Sequence, residues 1–73
     1  MAYEVEVAFN PTRADEPRRH DYFGLLTKHN LVCTVNGPNS RISGIPNRDL
    51  DAVIDYLTEK GIQILGTKKY EFR

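Results

Sequence analysis

The run from Asn47 to Ile62 constrains the fold more than any other stretch, because a helix is written into it from entry to exit. Asn47 is a residue type that caps helices and Asp49 stands near the positive end of the helix dipole. Leu50, Val53, Ile54 and Leu57 recur as one apolar stripe. Gly61 fits the left-handed position that ends a helix, and Ile62 is then placed to touch Leu57, the contact that accompanies a Schellman closure.

The preceding segments supply strands and a second helix. From Tyr3 to Phe9 the sequence alternates, with Tyr3, Val5, Val7 and Phe9 on one face and Glu4, Glu6 and Ala8 on the other, until Asn10-Pro11 ends the strand. Glu16 to His29 reads as a helix with Pro17 in its first turn, Tyr22, Leu25, Leu26 and His29 at helical spacing, and Asn30 closing it. Gly24 in its middle costs about 1 kcal/mol relative to alanine, which predicts either a late helix start or another backbone passing close by. Leu31 to Val35 reads as a strand with Leu31, Cys33 and Val35 on one face, and residues 36–40 are five consecutive turn formers. Arg41 to Ile45 reads as the returning strand, weakened by Gly44 and stopped by Pro46, features that suit an edge position. Ile62 to Leu65 starts a final strand, and Tyr70-Glu71-Phe72 resumes alternation after Gly66-Thr67-Lys68-Lys69, either through a bulge or around a tight hairpin.

In order these elements are strand, helix, strand, strand, helix, strand. That is the split βαβ pattern of ferredoxin-like α+β folds, a four-stranded antiparallel sheet with two helices on one face. The other face is expected to carry Glu4, Glu6, Val32 and Thr34, and an open face or sheet edge of this kind is a place for a partner. At 73 residues the chain has length for one domain, spanning 1–73. The only cysteine, Cys33, can form neither an internal disulfide nor a thiolate zinc site alone, which fits a reducing cytoplasm. The N-terminal alternation of acids with apolar residues is unlike a signal peptide, and no stretch approaches membrane-spanning length, so a soluble protein is expected. Ten basic and ten acidic residues give a formal net charge of zero, which offers no global field for nucleic acid or an anionic membrane and little protection against self-association.

The inventory of chemical groups is thin. Cys33 with His20 or His29 would be a nucleophile and base, but mid-strand on the core side a cysteine behaves as a small hydrophobe. His20 and His29 are too far apart along one helix to share a metal, so no catalytic, cofactor or metal site is expected. Asp51, Asp55 and Glu59 recur every fourth residue and line one helix face, a solvated surface or a match for a basic protein partner. Gly37-Pro38-Asn39-Ser40-Arg41 lacks the lysine and following helix of a phosphate loop and reads as a hairpin turn. Basic residues gather at Arg13, Arg18, Arg19 and His20, and again at Lys68, Lys69 and Arg73 beside Tyr70 and Phe72. The second group has the interleaved charges and aromatics that follow single-stranded RNA. The RNA-recognition fold of this topology needs aromatics on its central strands, and Arg41–Ile45 has none. The ligand-binding ACT domains share the topology, but their glycine at the first strand-to-helix turn has no counterpart in Asn10-Pro11-Thr12-Arg13.

A very short, neutral, motif-poor chain with a start methionine resembles, in length and character, the host-takeover proteins of lytic bacteriophages, among them small regulators of bacterial RNA polymerase. The resemblance implies a non-enzymatic protein that binds host RNA polymerase in the host cytoplasm and inhibits initiation or termination. Under that reading Arg18, Arg19, Lys68, Lys69, Tyr70 and Arg73 are the expected contacts, with nascent RNA as a second partner for the basic strand. The alternatives are a phage inhibitor of a defence nuclease and an ACT-like module for a small ligand.

Overall fold

A computed structural model describes residues 2–70. Strand β1 (Ala2–Val7) is followed by a 3₁₀ turn at Pro11–Arg13 and helix α1 (Glu16–His29). The hairpin of β2 (Val32–Asn36) and β3 (Asn39–Pro46) leads into α2 (Asn47–Glu59), and β4 (Ile64–Tyr70) closes the sheet. The strand order is β2-β3-β1-β4 with every neighbouring pair antiparallel, which is the split βαβ arrangement.

The helices end by the same device. At α2, Gly61 takes φ 75°, the Ile62 amide donates to the Leu57 carbonyl at 2.9 Å, and the Gly61 amide donates to the Thr58 carbonyl at 3.1 Å. At α1, Asn30 occupies the left-handed position at φ 56°, with Leu31 donating to the Leu26 carbonyl at 2.8 Å. Both are Schellman closures, built on glycine in one helix and on asparagine, the next most tolerant residue, in the other. The start of α1 is capped by Asp15, whose carboxylate accepts from the Arg18 amide at 3.1 Å. The start of α2 differs from expectation. Pro46 is the N-cap and Asn47 the first helical residue, with no side-chain cap bond, because β3 stays extended up to its last pair, Ala2 with Pro46, and turns directly into the helix.

The hairpin is also tighter than five turn formers predict. Asn36 pairs with Asn39, leaving only Gly37 and Pro38 in the loop, and Gly37 supplies the positive φ of 63° that such a two-residue turn requires. Asn39 and Ser40 therefore belong to β3, which is interior to the sheet and not at its edge. Gly44 finds its use there. Pairing moves from Tyr3–Ile45 to Val5–Ile42, so Ser43 and Gly44 together face Glu4 as a bulge, and Gly44 takes φ 79°. Its amide donates to the Tyr70 hydroxyl oxygen at 2.9 Å, reaching across β1 to the far strand. In β4 the register shifts between Glu6 and Val7, so residues 64–70 form one bulged strand and no hairpin.

The core lies between one sheet face and the two helices. Val5, Val7, Ile42 and Ile45 meet Tyr22, Leu25 and Leu26 of α1 and Val53 and Leu57 of α2, with Phe9 and Ile62 closing the ends. Ser40 is the buried polar residue inside it, and its hydroxyl is 2.8 Å from that of Tyr22.

Candidate functional site

The side chains with chemical potential are built into the packing. The Cys33 sulfur, half-buried on the helix-covered side of β2, lies 3.9 Å from the Tyr22 hydroxyl, which itself pairs with Ser40. Burial pushes the Tyr22 phenol well above its ordinary value; the Ser40 hydrogen bond opposes this, and Cys33 adds to it. His29 Nδ1 lies 3.4 Å from Asp49 Oδ2, joining the end of α1 to the first turn of α2. Among the described residues no group of three or more His, Cys, Asp and Glu side chains is placed to hold a metal ion. Nor is any helix there long and apolar enough to cross a membrane.

The two expected groups of basic contacts fall at opposite ends of β1. The Arg18 guanidinium lies over the Phe9 ring, 5.3 Å from its centroid, beyond the C-terminal end of β1, with Arg19 beside it in sequence, half-buried on the first turns of α1. Lys68, Lys69 and Tyr70 pair with Glu4, Tyr3 and Ala2 at the other end, about 20 Å away at the rise of an extended strand. Lys68 shares the open sheet face with Glu4, and Lys69 points to the opposite face. Tyr70 is half-buried and bonded to the Gly44 amide, so its ring edge is part of the sheet's internal fastening. Arg73, with Phe72, lies outside the described residues.

The open sheet face carries Glu4 and Glu6 as expected, with Arg41 Nε 3.5 Å from Glu4 and the Ser43 hydroxyl donating to Glu4 at 3.4 Å. It is a mixed, partly paired polar surface. A row of stacking aromatics is not built on its central strands, where Glu4, Glu6, Arg41 and Ser43 stand.

Three further surfaces stand out. The first is the outward face of α2, where Asp51, Asp55 and Glu59 are all exposed, and no described cation lies within ion-pair reach of them. The second is a cleft of about 360 Å³ between the helices, lined by His20, Gly24, Lys28, His29, Ala52 and Tyr56. The helices are fastened at both ends of this cleft. His29 and Asp49 hold one end; at the other, the Tyr56 hydroxyl donates to the Asp21 carbonyl at 3.1 Å and Lys60 pairs with the Asp21 carboxylate at 3.4 Å. Gly24 is neither at a late helix start nor under another backbone; nothing lies within 4 Å of where its Cβ would be. Alanine at position 24 is therefore expected to stabilise the fold by about 0.5–1 kcal/mol through helix propensity alone, read as a higher urea midpoint at unchanged slope. A loss of stability would mean that the cleft closes on that glycine in solution.

The third surface follows the outer edge of β2. Phe23, Leu26, Thr27, Asn30, Leu31 and Cys33 line a shallow groove of about 440 Å³ between α1 and that edge. Phe23 is 42% exposed and Val35 41%. The sequence signal for Phe23 was its position, an aromatic one residue off the Tyr22-Leu25-Leu26 stripe, where a helix faces water. Comparisons with protein-family models, curated proteins and solved structures find no match for the chain.

Proposed function

We propose that the chain is a non-enzymatic regulator that docks on a nucleic-acid-handling enzyme, bacterial RNA polymerase first among them, and alters initiation or termination. The observation that carries this reading is the acidic stripe of α2, which no described cation pairs. Four helical residues advance about 6 Å, so Asp51, Asp55 and Glu59 form a line of negative charges with near-regular spacing on a rigid element. A line of this kind fits a basic surface that otherwise holds a phosphate backbone, and it steers association through long-range attraction. The partnered state of Cys33, Tyr22, Ser40 and His29 also favours a binding role over a catalytic one. Lys68 and Arg19, on other surfaces, are secondary contacts in this reading.

The test is an affinity capture from bacterial lysate with the tagged chain and with a triple variant, Asp51→Lys, Asp55→Lys and Glu59→Lys. Polymerase subunits are expected with the wild type and strongly reduced with the variant, whose circular dichroism is expected to be unchanged. Recovery of a defence nuclease in place of polymerase selects the inhibitor reading. Recovery of polymerase equally by both proteins removes the acidic stripe from the argument, and recovery of neither enzyme overturns the proposal.

A further inference from the structure

The two edges of the sheet are not treated alike. At the β4 edge, Lys68 and Lys69 stand in succession and the strand is bulged, the usual devices that keep an edge from pairing with another chain. At the β2 edge there are none. From His29 to Ser40 the sequence contains no Asp, Glu, Lys or Arg, although charged residues make up 27% of the chain. Strand β2 itself, Val32-Cys33-Thr34-Val35-Asn36, is regular, uncharged and rich in β-formers, and it pairs on one side only. The exposed large hydrophobics Phe23, Val32 and Val35 flank this edge on its two faces, and the fourth, Leu65, lies in β4.

We infer that the β2 edge pairs with β2 of a second copy of this chain, antiparallel across a two-fold axis, joining two four-stranded sheets into one of eight. The amides and carbonyls along an edge are a ready template for another extended strand, whatever its sequence. Antiparallel pairing continues the pattern of this sheet and makes the contact isologous, so each copy presents and receives the same groove. Charge supports the same occupant. A neutral strip on a chain of zero net charge meets its own copy without repulsion, whereas an acidic or basic partner peptide finds no counter-charge there. In the pair, α1 lies beside its symmetry mate, and Phe23 and Val35 are covered. The contact involves roughly ten residues a side, well below a standard interface, so a weak, concentration-dependent dimer is expected.

Sedimentation velocity of the full chain from about 1 µM to 1 mM reads this directly. The wild type is expected to move from monomer to dimer over that range. Thr34→Lys, which sets two like charges near the axis on the open sheet face, is expected to weaken dimerisation at least about tenfold. Phe23→Ser, off the strand, is expected to weaken it about three- to tenfold. Leu65→Lys, at the opposite edge, is expected to leave it within about twofold, and each variant's thermal unfolding confirms that it is folded. A wild type that stays monomeric at about 1 mM overturns the inference, as does a folded Thr34→Lys chain that dimerises unchanged or a Leu65→Lys chain that alone fails to dimerise.

Discussion

Replacing Leu57 with alanine is expected to cost about 2–5 kcal/mol, the usual range for emptying a fully buried leucine site. Leu57 is completely buried, belongs to the central cluster with Val5, Ile42 and Ile45, and is the residue whose carbonyl receives the Ile62 amide at the exit of α2. Its loss therefore leaves a cavity and also removes the apolar contact that accompanies the Schellman closure. For a chain of 73 residues the whole folding free energy is only about 4–11 kcal/mol, so the variant is expected to lose a large share of its stability and to melt well below the wild type. Urea titration followed by circular dichroism measures it. A loss under about 1 kcal/mol would mean that α2 is not docked through this side chain.

The second large effect is at Tyr22. Phenylalanine there keeps the ring against Phe9, whose centroid is 4.8 Å away, but strips the buried Ser40 hydroxyl of its partner, at an expected cost of about 1–3 kcal/mol. Ser40→Ala leaves the Tyr22 hydroxyl with only the long contact to Cys33, and a similar loss is expected. The double variant removes both polar atoms and is expected to be more stable than the sum of the singles predicts, by about 1 kcal/mol or more. The same pair gives a pH signature. Because burial raises the Tyr22 pKa, the folded state holds a proton that the unfolded chain releases above about pH 10. Stability contributed by this group is complete below that pH and falls as the pH rises beyond it, by up to about 1.4 kcal/mol per unit. Tyr22→Phe is expected to lose that component, so its alkaline unfolding curve is shallower than that of the wild type. Equal slopes would mean that Tyr22 ionises freely in the folded protein.

Much of this fold is written locally, and the misreadings fall where distant parts of the chain decide. The period of Leu50, Val53 and Leu57 and the glycine at 61 define a helix and its exit without reference to anything else, and both stand in the structure. Gly44 and Pro46 are a different matter. Read along the chain they weaken a strand and suggest an edge, yet β3 is interior, because its neighbour β1 is supplied from the far end of the sequence and absorbs the glycine as a bulge opposite Glu4. Asn47 has the chemistry of a cap, but the pairing of Ala2 with Pro46 holds the chain extended one residue earlier and moves the cap to the proline.

The surface was less legible still. Arg18 and Lys69 are alike as residues, and only the topology reveals that β1 separates them. The acidic stripe of α2 could be read directly, since Asp51, Asp55 and Glu59 share a helix face by spacing alone. The groove beside β2 could not, because Phe23 and Cys33 come from two elements whose proximity is a tertiary fact.

The bond from the Gly44 amide to the Tyr70 hydroxyl makes one proton in the middle of the sheet answer to the last described residue of the chain. If β4 peels away while the remaining strands stay paired, that amide is left open to solvent. Its deuterium uptake therefore clocks detachment of the C-terminal strand, and a partner that clamps β4 in place would slow uptake at Gly44 without touching it.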